Sequence, residues 1–149
     1  MGQELFQGMI LTPLKIIELE KGDVLHAAKA SDKGVVGFGE AYFSTIKNGA
    51  IKAWKRHREA TLNLIVPVGE IKFVLYDDRP DSDDFGKKIV VHLSKNNYNR
   101  MTVPPMIWMG FQGIGTGQNL LLNIINIPHD PEEADQMEMG LIPFDWQQE

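Results

Sequence analysis

Residues 48–79, NGAIKAWKRHREATLNLIVPVGEIKFVLYDDR, constrain the fold more than any other stretch of the chain. Strand-like runs at 51–56, 62–66 and 71–76 follow one another, and Pro67-Val68-Gly69 marks a turn between the last two. Strict alternation in the first run puts Ile51, Ala53, Lys55 and His57 on one face and Lys52, Trp54 and Arg56 on the other. The first face begins apolar and ends in two nitrogen bases. A strand reads this way when it runs through a barrel core and emerges at the mouth.

The remainder of the chain supplies partners for these strands. Residues 8–19 read as one or two strands broken at Pro13, a residue that favours a sheet edge. Residues 35–46 are strand by composition, rich in aromatic and β-branched side chains. Further runs are expected at 87–93, 98–103, 106–112 and 119–127, the last with Leu120-Leu121-Leu122 suited to burial on both faces. The acidic segment 80–86 reads as a solvated loop, since it lacks the ligand spacing and terminal Glu of a calcium loop. Gly113-Ile114-Gly115-Thr116-Gly117 opens no helix and reads as a hairpin turn, not a phosphate loop. After His129 a polar tail carries one helical turn and ends in an apolar anchor, Phe144 and Trp146. About eight to ten short strands and no long helix make the chain all-β. An immunoglobulin-like sandwich, a jelly roll and a lipocalin-like barrel all fit that pattern.

Composition narrows the function classes. One domain is expected over residues 1–149. A net charge of −5 argues against nucleic acid, which demands a basic footprint. The chain has no cysteine, which fits a reducing cytoplasm and removes thiolate metal sites. No apolar run approaches the roughly 18 residues of a membrane helix, and the N-terminal MGQELFQGMIL lacks the basic start of a signal peptide.

Four motifs in order carry a resemblance. Lys21-Gly22-Asp23 stands where an Asp-x-Arg-Gly turn would be, and Glu40-Ala41-Tyr42-Phe43-Ser44 is like a strand of polar pocket residues. Leu93-Ser94-Lys95-Asn96-Asn97, followed by Pro104-Pro105-Met106-Ile107-Trp108-Met109-Gly110-Phe111, is similar to Leu-Ser-x-x-Asn and Pro-Pro-Gly-Phe-Ala-His-Gly-Phe. His129-Asp130-Pro131-Glu132-Glu133 is similar to Tyr-x-Pro-Glu-x-Glu. Together these residues resemble the cupins related to dTDP-4-dehydrorhamnose 3,5-epimerase and the nucleotide-sugar 3,4-ketoisomerases. The resemblance implies a double-stranded β-helix jelly roll, a homodimer, and a nucleotide-linked sugar as ligand.

It also implies site residues. Lys55 stands at the position of the family's catalytic His, His57 at the second His of the ketoisomerase pattern, and His129 at the general-acid Tyr. Glu40, Tyr42, Lys52, Trp54, Arg56, Trp108 and Asn123 are the implied substrate contacts, with Lys52 and Arg56 on phosphate. The family's orienting Asp has no counterpart in this sequence. The positions that hold metal in other cupins carry Lys55, Leu62 and Met109, so no metal or other cofactor is expected. The implied activity is proton transfer beside a ketone, in epimerisation or ketoisomerisation of a dTDP-4-keto-6-deoxyhexose for deoxysugar and polysaccharide synthesis. A dry jelly-roll interior suits it, because burial tunes nitrogen bases toward neutrality. The alternative is a non-catalytic cupin that binds a sugar nucleotide or serves in assembly.

Overall fold

The computed structural model describes residues 5–147; the first four residues of the N-terminal stretch discussed above lie outside the described residues. In chain order the strands are β1 (Ile10–Pro13), β2 (Ile16–Ile17), β3 (Val24–Leu25), β4 (Glu40–Thr45), β5 (Ile51–His57) and β6 (Leu62–Val68). They continue with β7 (Glu70–Asp77), β8 (Lys88–Ser94), β9 (Asn99–Val103), β10 (Ile107–Gly113), β11 (Leu120–Ile125) and β12 (Ala134–Gln136), before a 3₁₀ turn at Met139–Leu141.

Two five-stranded antiparallel sheets face each other. One has the order β1-β9-β6-β11-β4 and the other β12-β5-β10-β7-β8, with β2 and β3 as a separate pair. From β4 onward the chain alternates between the sheets except at the β7–β8 hairpin, a jelly-roll path and the expected fold class. Alternate residues of β6 and β7 supply the inner faces: Leu62, Leu64 and Val66 meet Ile71, Phe73 and Leu75, with Val91, Leu93, Met101 and Val103 beside them. Each such side chain contributes about 1.5–3 kcal/mol by leaving water.

Outside the sandwich, two coverings matter. Arg100 is fully buried on the outer face of the first sheet, where it donates to Asn63 Oδ1 (3.1 Å), the Ala27 carbonyl (2.9 Å) and Asp32 (3.1 Å). It thereby fastens the loop between β3 and β4 across that sheet. On the outer face of the second sheet, Ile142, Phe144 and Trp146 pack with Trp54, Val74 and Trp108. Gly110 leaves the room for this, since a Cβ there would stand 2.6 Å from Ala53 Cβ and 3.0 Å from the Trp146 ring.

Several expectations shift. Residues 35–39 are loop, and the strand expected over 35–46 is confined to Glu40–Thr45. Pro67 and Val68 belong to β6, so the turn rests on Gly69 alone, with φ of 81°. In β11 burial alternates: Leu121 is buried while Leu120 and Leu122 are half-exposed, because the outer face of that strand is uncovered. Pro13 lies on an edge strand, as its missing N–H requires.

Candidate active site

A cavity of about 620 Å³ opens between the sheets, a size suited to a small-molecule ligand. Its floor is apolar, with Leu62, Leu64 and Val103 from one sheet and Ile107, Met109 and Phe111 from the other. Polar groups from both sheets complete the lining, among them Tyr42, Ser44 and Asn123 on one side and Lys52, Lys55, His57 and Gln136 on the other.

The β5 wall departs from strict alternation. Met109 of β10 pairs with Lys55 and Phe111 with Lys52, so the one residue between them on β10, Gly110, opposes both Ala53 and Trp54 of β5. This bulge turns Ala53 and Trp54 both toward the outer cluster, where Ile51 also packs. Lys52 therefore joins Lys55 and His57 in lining the cavity, and Ile51 does not. Its ammonium stands 5.9 Å from the centre of the Phe111 ring and donates to the Thr45 carbonyl at 2.9 Å.

His57 is held by a residue that sequence reasoning missed. β12 runs antiparallel to β5 with Ala134 opposite His57, which brings the preceding Glu133 onto the imidazole. Nδ1 of His57 lies 2.7 Å from Glu133 Oε1, while Oε2 accepts the Glu59 and Ala60 N–H groups at 2.9 Å each. Burial pushes the Glu133 carboxyl up, but the hydrogen bonds from Glu59, His57 and Ala60 outweigh it and hold the group below the ordinary glutamate value. An ionised Glu133 accepts a hydrogen bond from Nδ1–H, and in that tautomer Nε2 keeps its lone pair. The Met106 N–H adds a second restraint by donating to the His57 carbonyl at 2.7 Å, from a turn in which Met106 has φ of 72°.

Across the cavity, Asn123 Nδ2 donates to the Tyr42 hydroxyl oxygen at 3.1 Å. Asn123 Oδ1 is buried with no hydrogen-bond partner among the described residues, an acceptor that a ligand hydroxyl would satisfy. Trp54 reaches the cavity wall, although its ring faces Trp146 at 5.5 Å and its Nε1 donates to the Met139 carbonyl.

Four of the implied site residues lie elsewhere. Arg56 points outward, stacked 4.7 Å from the Trp108 ring and paired with Asp78 (3.1 Å) and Asp135 (2.7 Å). Trp108 goes with it, because residues 56 and 108 are direct cross-strand neighbours on the outer face. Glu40 opens β4 opposite Ile125 and does not line the cavity. His129 is exposed in the loop between β11 and β12. Among the described residues, no group of three or more His, Asp or Glu is placed to hold a metal ion.

Glu133 shares its depressed pKa with Asp77, which is fully buried. Burial there works against the charge, and hydrogen bonds from Arg79 and Ser82 overcome it. A carboxylate with a lowered folded-state pKa stabilises fully above its unfolded value and loses that contribution as pH falls through the folded one. Stability from these two groups should hold down to about pH 4 and decline below it. Urea unfolding across that range should show a shallower decline for Asp77→Asn than for the unsubstituted protein; equal slopes would contradict the assignment.

No family model matches the chain. It is similar to the crystal structure of a dTDP sugar isomerase from Desulfovibrio desulfuricans G20, with 36% identity, 99% of this chain and 97% of that one covered, and a TM-score of 0.92. It is 32% identical over 106 residues to a probable low-salt glycan biosynthesis epimerase of Haloferax volcanii, a match that spans 70% of this chain and 66% of that protein. The fold also matches a dTDP-6-deoxy-D-glucose-3,5-epimerase from Legionella pneumophila, solved in complex with dTDP-4-keto-L-rhamnose. That match has a TM-score of 0.79 and 20% identity, over 93% of this chain and 83% of that one. Its likeness to the Desulfovibrio protein over nearly the full length of both chains, on the same jelly-roll frame, places this chain in the dTDP-sugar isomerase and epimerase family of cupins.

Proposed function

We propose that the protein isomerises or epimerises a dTDP-linked 4-keto-6-deoxyhexose, by moving a proton at a carbon beside the ketone, in the synthesis of a glycan or polysaccharide. The observation that carries this reading is the His57–Glu133 pair at the wall of a cavity with an apolar floor. A general base needs an unshared lone pair and a partner that fixes its tautomer, and His57 has both. The activities of the Desulfovibrio and Haloferax relatives support the reaction class, and the Legionella complex supports the ligand.

The other cavity residues take roles that suit their chemistry. Tyr42, whose oxygen already receives the Asn123 N–H, keeps its own proton to give to the substrate. Lys52 offers a cation to the diphosphate, and Asn123 Oδ1 accepts from a sugar hydroxyl. We assign the base role expected for Lys55 to His57, because His57 has an orienting partner and Lys55 has none among the described residues. The non-catalytic alternative rested partly on a missing orienting carboxylate, and Glu133 supplies one.

The test is solvent-deuterium incorporation into dTDP-4-keto-6-deoxyglucose, followed by mass spectrometry. Incorporation that requires the protein supports the proposal; binding of the sugar nucleotide with no exchange at any carbon would reduce the protein to a binding module. The proposal also retains a single cupin domain over residues 1–149, no metal or other cofactor, a cytoplasmic location and a homodimer. Phe144 and Trp146 are taken up by their own chain, so the apolar surface left for a second copy includes Phe38 and Phe43, 72% and 64% exposed. Sedimentation at micromolar concentration should show a dimer; a concentration-independent monomer would remove it.

A further inference from the structure

The bulge in β5 delivers two lysines to the cavity, and the structure treats them differently. Lys52 is anchored, its ammonium bound to the Thr45 carbonyl. Lys55 is half-buried on the same wall, directly opposite Met109. Its ammonium has neither a hydrogen bond nor an ion pair among the described residues. A cation kept only to balance a fixed charge would show a carboxylate beside it. Two residues further along the same face stands His57, at a Cα spacing of about 6.6 Å for an extended strand. An electrophile at Lys55 thus has the base of the proposed reaction as its neighbour.

We infer that Lys55 is a nucleophile, forming a Schiff base with the keto carbon of the sugar before His57 removes the adjacent proton. This rests on the ketosugar reading above and deepens it. The step balances without any added reagent. The ammonium and the ketone give a protonated imine and water, with the C–N bond formed, the C–O bond broken, and two ammonium protons carried off on the departing oxygen. The iminium nitrogen is a stronger electron sink than the ketone oxygen, so the neighbouring C–H becomes more acidic. Nε2 of His57 takes that proton and the electron pair moves to nitrogen as an enamine. Proton return to the other face of the same carbon regenerates the iminium, and addition of water then releases the sugar and restores the ammonium. Anchoring would defeat this role, since the amine must travel to the carbonyl and back. The freedom of Lys55 and the restraint of Lys52 fit a division between bond formation and phosphate binding.

The experiment treats the whole protein with dTDP-4-keto-6-deoxyglucose and sodium cyanoborohydride, which reduces iminium ions to stable secondary amines. Peptide mapping should place a single sugar-nucleotide adduct on Lys55, with a mass equal to the ligand less one oxygen, and excess dTDP should suppress it. Lys55→Arg keeps the charge and should remove the adduct and lower solvent-deuterium exchange by about 100-fold or more, with dTDP affinity nearly unchanged. Exchange that proceeds in the unsubstituted protein with no adduct, or with adducts scattered over surface lysines, would overturn the nucleophile while leaving the proposed function standing. Absence of both exchange and adduct would overturn the two together. Exchange retained by Lys55→Arg would also end the inference, because an arginine cannot form the imine.

Discussion

Asparagine at position 57 should lower solvent-deuterium exchange into the ketosugar by about 10²–10⁴-fold, the range for loss of a positioned general base. Asparagine preserves a polar group of similar reach near Glu133, so the carboxylate that also binds the Glu59 and Ala60 N–H groups need not lose its surroundings. Affinity for dTDP should change little, since the proposed base acts on the sugar ring and the proposed diphosphate contact is Lys52. The two effects are separated by exchange measured at saturating ligand and by calorimetric titration of dTDP. A loss of affinity as large as the loss of exchange would reassign His57 to binding.

The second large effect concerns stability. Trp146 is 8% exposed, stands 5.5 Å from Trp54 and 5.0 Å from Phe144 between ring centres, and closes over Gly110. Truncation of a buried tryptophan costs about 3–5 kcal/mol through lost burial and the cavity left behind. Trp146→Ala should therefore shift urea unfolding by about 3 kcal/mol or more. The loss should come with weaker exchange activity, because the same segment carries β12 and Glu133 against β5. A change below about 1 kcal/mol would mean that the cover over Trp54 is dispensable.

Much of the sandwich was readable in the residues. Runs such as Leu62, Leu64, Val66 and Ile71, Phe73, Leu75 announce their inner faces by period two, and Pro13 announces an edge. The bulge was not readable, because nothing in Lys52-Ala53-Trp54-Lys55 says that two successive side chains leave on the same side; the pairing with β10 decides it. Alternation alone puts Lys52 on the face of Trp54 and Arg56, and the sequence does not show that Asp78 and Asp135 claim Arg56. Glu133 was hidden for a different reason. In a polar run after a proline it looks like a solvated loop residue, and Ala134-Asp135-Gln136 has little β-propensity of its own. Backbone pairing with the edge of β5 makes that segment a strand, and only the register reveals that Glu133 meets His57. His129 was drawn into the site by its place in a motif, whereas the chain carries it out to solvent.

The outer cover of the second sheet makes the protein a larger mutational target than its cavity. Gly110 touches no ligand, yet any side chain there meets Ala53 and Trp146 and would displace the segment that holds Glu133. A screen that scores only product would therefore return substitutions at Gly110, Trp54 and Trp146 alongside those at His57. Plotted on the fold, these positions would form a second cluster on the far side of β5, with the strand itself as the boundary between losses of chemistry and losses of support.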